Sequence, residues 1–158
     1  MKQSAHVPHR AAAALALALA VVLPAGCAGP VRVEEPSPGP AERATCETLL
    51  AALPEQVLES TRRPTEPGVL SRAWGDPAIT LRCGGPAPPG LTATSECLEV
   101  DGVGWFSEDA EGGRLFTTIG RAVFVEVGVP ADYVPQVDVL VDISGAVAEH
   151  DPVEQPCR

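Results

Sequence analysis

Cysteine is the residue type whose spacing most constrains the chemistry open to this chain. Its five thiols are Cys27, Cys46, Cys83, Cys97 and Cys157. Cys27 closes a leader: Lys2 and Arg10 stand in the first ten residues without an acid, and the next thirteen, Ala11 to Leu23, are all Ala, Leu or Val. That is the n-region and h-region of a secretory signal. Ala25-Gly26 then sets small residues before the thiol. In lipoprotein chemistry such a cysteine takes a diacylglycerol, signal peptidase II cuts after Gly26, and Cys27 becomes the first mature residue. Pro24 stands where a lipobox usually carries an aliphatic residue, with Leu23 one step early. Two other outcomes fit the same residues: ordinary cleavage near Ala25 or Ala28, giving a secreted protein, or an uncleaved anchor, since Ala11 to Val31 holds 21 uncharged residues and spanning takes about 20.

The other four cysteines form an even set, as expected for two disulfides in an oxidising compartment, and four cysteines allow three pairings. Structural zinc is not expected, because the intervals of 37, 14 and 60 residues contain no C-x-x-C pair and His150 is the only histidine beyond the leader. His150 also leaves a Ser or Cys nucleophile without a base, and beside Asp151 it reads as a solvated tail residue. Gly84-Gly85 and Gly112-Gly113 match neither a phosphate-binding loop nor a dinucleotide fingerprint and read as turns. Glu108, Asp109 and Glu111 cluster in one expected hairpin loop, where a solvated charge run outweighs general acid–base work. No catalytic residue, metal or cofactor is implied.

The densest stretch is Arg72-Ala73-Trp74-Gly75-Asp76-Pro77-Ala78-Ile79-Thr80-Leu81-Arg82-Cys83-Gly84. Here the chain resembles the DUF3515 family of actinobacterial envelope proteins. The resemblance runs from about Cys46 to Ala148. It includes a Cys-initiated helix entering Leu53-Pro54, the Arg62-Arg63-Pro64 step, Trp-Gly-Asp-Pro leading to Leu-Arg-Cys-Gly, the Gly102 to Trp105 strand, and Arg121 before a Val-rich strand ending at Val129-Pro130. It implies a signal or lipid anchor, an extracytoplasmic domain and no assigned activity. Gly85, and the extra pair Cys97 and Cys157, depart from the family pattern. Trp74 is expected first as a core anchor, with Gly75 and Asp76-Pro77 turning the chain into a strand and Arg82 pairing with an acid. The functional alternative is that Arg72, Trp74, Arg82, Trp105 and Arg121 line one concave face for an anionic or sugar-like ligand.

The elements that must position these residues follow from periodicity. Cys46, Leu49, Leu50, Leu53 and Val57 make one helical stripe, which Pro54 kinks or restarts. Thr61 to Gly68 reads as a loop, and Ile79, Leu81 and Cys83 as the buried face of a strand. Asp101-Gly102 joins Leu98 and Val100 to Val103–Phe106 as a hairpin. Arg114–Ile119 and Ala122–Val129 form a second, with Val123, Val125, Val127 and Val129 on one face. The last segment suits either a strand (Val137, Val139, Val141, Ile143) or a helix (Val137, Leu140, Val141, Ser144, Val147), and the helix is favoured. The expected class is α+β: a small antiparallel sheet with one or two helices on one face, stapled by disulfides.

With 158 residues the chain has room for one domain of ordinary size. The expected layout is a signal over 1–26, a Pro/Glu-rich tether over 27–44, a domain over 45–150 and a tail over 151–158. The net charge is −10; loss of Lys2 and Arg10 with the leader leaves nine arginines against 21 acids, or −12. Such a body argues against nucleic acid and would be repelled by anionic head groups, so membrane attachment is expected through Cys27. The expected role is a non-catalytic binding or assembly module on the outer face of the cell membrane, acting on an envelope protein or a small ligand. The alternatives are a small hydrolase using paired carboxylates and an inhibitor or chaperone of a secreted partner.

Overall fold

The computed structural model describes residues 29–157. The leader expected over 1–26, and Cys27 itself, lie outside them. The described chain runs β1 (Val31–Arg32), α1 (Pro40–Ala52), β2 (Gln56–Val57), β3 (Ser60–Arg63), β4 (Thr65–Glu66), β5 (Ser71–Trp74), β6 (Ile79–Cys83), β7 (Leu98–Val100), β8 (Val103–Ala110), β9 (Gly113–Thr118), β10 (Val125–Pro130) and α2 (Asp138–His150). Eight strands form one sheet in the order β2-β3-β5-β6-β10-β9-β8-β7, and β1 pairs with β4 in a separate two-stranded ribbon. Every neighbouring pair of the large sheet is antiparallel. The protein is therefore α+β.

Strand parity decides which side chains meet the helices. Ile79, Leu81 and Cys83 of β6 share a buried face with Val125, Val127 and Val129 of β10, Phe116 of β9 and Val103 and Trp105 of β8. Both helices cover this face. Cys46 of α1 is disulfide-bonded to Cys83, and Ser144 of α2 accepts a hydrogen bond from Trp105 Nε1 at 3.3 Å. Asp101 (φ 49°) and Gly102 (φ 74°) form the expected two-residue turn of the β7–β8 hairpin. Helix α2 occupies the ambiguous segment, rotated from the expected stripe: Val139 and Ile143 are buried with Leu140, Ser144 and Val147, while Val141 is 56% exposed.

Several of these expectations change. Helix α1 starts at Pro40 rather than near Thr45, because Pro at the first helical position and Glu42, whose carboxylate accepts the Gly39 N–H at 2.9 Å, cap a turn with no apolar stripe. It stops before Leu53, held extended by Pro54, so Val57 is buried from β2 and not from a helix. Thr61 to Gly68 contains most of β3, where Arg62 and Arg63 hide the strand alternation, and the two-residue β4. The described part of the segment read as a tether is bound to the fold: Val31 N–H bonds Pro64 O at 2.8 Å, Ser71 Oγ donates to Glu35 at 2.6 Å, and Arg82 Nη1 donates to Glu34 O at 3.3 Å. The expected tail is stitched down as well. Ala122 N–H bonds Pro152 O at 3.0 Å, and Cys157 is joined to Cys97. Among the described residues no helix is long and apolar enough to cross a membrane.

Candidate functional site

The five residues considered as one ligand face are not brought together. Trp74 and Trp105 lie in the core, fully buried, with their indole N–H groups committed to Pro54 O (3.1 Å) and Ser144 Oγ (3.3 Å). Arg82 lies on the opposite face of the sheet, because it alternates with Leu81 and Cys83 along β6. There its guanidinium forms a fork with the Glu126 carboxylate, Nε to Oε1 at 2.8 Å and Nη2 to Oε2 at 3.0 Å, and this pairing raises the Arg82 pKa. Arg72 shares the helix-side parity of Trp74 and donates to Ser71 O at 2.7 Å; burial, then the nearby Arg62, lower its pKa. Strand alternation thus separates the arginines that sequence proximity had grouped.

Arg121 is buried between β9 and β10, where it organises the chain end. Its guanidinium donates to Gly102 O at 2.9 Å and to the carbonyls of Asp151 and Val147, tying the β7–β8 turn to the last turn of α2. Asp151 is also buried, with Oδ1 accepting the Val123 N–H at 3.2 Å and Oδ2 unpartnered. Burial pushes its carboxyl up to about 6, opposed by the Val123 N–H and the Arg121 charge.

Beyond Arg121 lies a cleft of about 610 Å³. It is lined by Thr92, Ser95 and Cys97 of the loop before β7, by Ile119 and Gly120 after β9, and by Glu154–Cys157 at the chain end. Two glycines allow it to form. Gly120 (φ 71°) accepts Glu154 and Gln155 N–H at 2.8 and 2.9 Å, and a side chain there would overlap Gln155. A side chain at Gly104 would strike both sulfurs of the Cys97–Cys157 bridge. Thr92 and Ser95 hydroxyls lie 3.2 Å apart, and Glu154 supplies the cleft's carboxylate. Among the described residues its lining contains no histidine, lysine or arginine. Hydroxyls, an amide and one acid can hold a polar or cationic group; they provide no activated nucleophile.

The chain matches the family described as Protein of unknown function (DUF3515) over residues 8–156. It belongs to the DUF3515 family. No curated protein and no solved structure matches this DUF3515 chain. The match covers the motifs Leu53-Pro54, Arg62-Arg63-Pro64, Trp74 to Gly84 and Gly102 to Trp105, and the structure gives several of them structural work. Arg62 donates to the Leu53 and Pro54 carbonyls, and Pro54 O also receives the Trp74 indole, so the two motifs close the end of α1 together. The cleft was not read from the sequence. Cys97 and Cys157 were its only signal, and pairing four cysteines takes coordinates.

Proposed function

We propose that this protein is an extracytoplasmic lipoprotein, anchored through Cys27, whose folded body serves as a non-catalytic binding or assembly module of the cell envelope. The observation that carries the reading is the division of the cysteines. Cys46, Cys83, Cys97 and Cys157 are all engaged in disulfides, which supports an oxidising compartment and leaves Cys27, behind Ala25-Gly26, as the one cysteine of the sequence that neither bridge uses. In this reading the leader is a signal peptide of lipoprotein type, Cys27 carries a thioether-linked diacylglycerol and an acyl chain such as palmitate, and the cleft beside Cys157 is the surface offered to a partner. The hydrolase alternative needs two acids meeting at a cavity wall, and Asp151 lends it no support because that carboxyl is enclosed in the core.

Fractionation of cells expressing wild type and Cys27→Ser tests the anchor. Wild type is expected in the membrane fraction with globomycin-sensitive processing, and Cys27→Ser is expected to leave it. Unchanged membrane retention of Cys27→Ser would show an uncleaved anchor instead, and a wild type found wholly in the medium would show simple secretion.

A further inference from the structure

Gly29 is two residues from Cys27 in sequence, and two extended residues span at most about 7 Å. The head-group layer on one side of a bilayer is roughly 5–7 Å thick. In a chain acylated at Cys27, Gly29 therefore lies within reach of the outer edge of the head groups. Gly29 is part of the folded body: Arg63 Nη2 donates to Gly29 O at 3.1 Å, while Arg63 Nη1 donates to Gly75 O at 2.9 Å. One guanidinium thus bridges Gly29 and the β5–β6 turn. Tyr133 donates its hydroxyl to Pro77 O of the same turn at 2.7 Å. Next to Tyr133, in the connection from β10 to α2, Val134 is 83% exposed, the most exposed of the large apolar side chains among the described residues.

From this placement we infer that the β10–α2 loop, with Val134 at its tip, rests on the outer surface of the bilayer that holds the Cys27 lipid. The inference rests on the anchor proposed above. The contact is apolar and shallow. Asp132 flanks the tip, and Asp76, 82% exposed beside Arg63 at 3.5 Å, lies in the adjoining turn, so charge gives no attraction to anionic lipid. The other end of the sheet, where β6 ends and β10 begins, carries Arg121, Val153 and the cleft, and points away from the membrane.

The test uses the full acylated chain reconstituted in zwitterionic phosphatidylcholine vesicles, with and without bromine on the acyl chains near the head groups. Wild type supplies the unquenched background emission, because Trp74 and Trp105 are interior and out of reach of the brominated chains. Val134→Trp and, as a second reporter in the same loop, Asp132→Trp are expected to lose emission in brominated vesicles, while Val153→Trp at the opposite end is expected to keep it. Acylation is read by mass and vesicle attachment by flotation. An acylated, floating protein whose two loop reporters keep full emission overturns the orientation and leaves the anchor standing. A chain without acyl mass that does not float overturns the anchor, and the orientation with it.

Discussion

Buried polar groups near the chain end give the sharpest consequences at the scale of single residues. The Asp151 carboxyl rises from 3.8 in the unfolded reference to about 6 in the fold, chiefly through burial. The folded state therefore binds more protons than the unfolded state across that window, and stability falls as pH rises from about 4 to about 6. The gain from protonation is full below the unfolded value and is lost through the folded one. Denaturant unfolding at pH 4, 5, 6 and 7 should show Asp151→Asn, which cannot ionise, losing this slope relative to wild type, with a difference across the window of up to about 3 kcal/mol. A constant difference between the two proteins at all four pH values would contradict it. Arg121 is the neighbouring case. Its removal leaves the carbonyls of Gly102 and Asp151 without their guanidinium donor, while Val147 O keeps the Asp151 N–H, so Arg121→Ala is expected to cost about 2–4 kcal/mol. Arg114→Ala, which breaks an exposed pair with Asp109, should change stability by less than about 1 kcal/mol in the same melts. Residue type had marked Arg121 and the two tryptophans as worth following, but type cannot tell a guanidinium that meets a ligand from one that caps three carbonyls.

Elements were legible where apolar alternation was clean and lost where arginine occupied the pattern. β6, β9 and β10 lie close to where Ile79–Cys83, Arg114–Ile119 and the Val-rich run placed them, and the Asp101-Gly102 turn has both residues at positive φ; β8 runs past Val103–Phe106 to Ala110, so Glu108 and Asp109, expected in a loop, are paired with Leu115 and Arg114 in the sheet. β3 and β5 read as Ser-Thr-Arg-Arg and Ser-Arg-Ala-Trp, and no local rule assigns such segments to the middle of a sheet. Their strand state comes from tertiary partners: Arg62 on the carbonyls closing α1, Ser71 on Glu35, Trp74 on Pro54. The first turn of α1 was missed for the same reason, since capping and not periodicity holds it. Helix α1 reaches the sheet through Cys46–Cys83, a bridge between two fully buried residues 37 positions apart. In the chain-entropy account, closing a loop of that length stabilises by about 4 kcal/mol. Cys46→Ser/Cys83→Ser is expected to lose most of that, read as a lower denaturant midpoint. A loss below about 1 kcal/mol would show that α1 docks by apolar contact alone.

At the scale of the whole molecule, the two disulfides do different jobs because they sit in different surroundings. Cys46–Cys83 is inside the core, whereas Cys97–Cys157 lines the cleft, with both its residues partly exposed. Thiol–disulfide exchange needs a thiolate to reach a sulfur, so access separates the two in rate. The core bridge opens to reagent only when the sheet and α1 part, which takes global or near-global unfolding. The cleft bridge is approachable in the folded state, and the segment it holds is short, fixed otherwise by the Gly120 and Ala122 backbone bonds and the Arg121–Val153 bridge. Mild treatment of the native protein with a dithiol, followed by alkylation and peptide mass mapping, is therefore expected to label Cys97 and Cys157 while Cys46 and Cys83 stay paired. Labelling of all four at equal rates would mean that the molecule opens as a unit and that its tail is as firmly held as its core. Selective labelling would mean that the cleft wall can be released while the sheet and both helices stay closed, which puts the adjustable part of the molecule at the end of the sheet opposite Gly29.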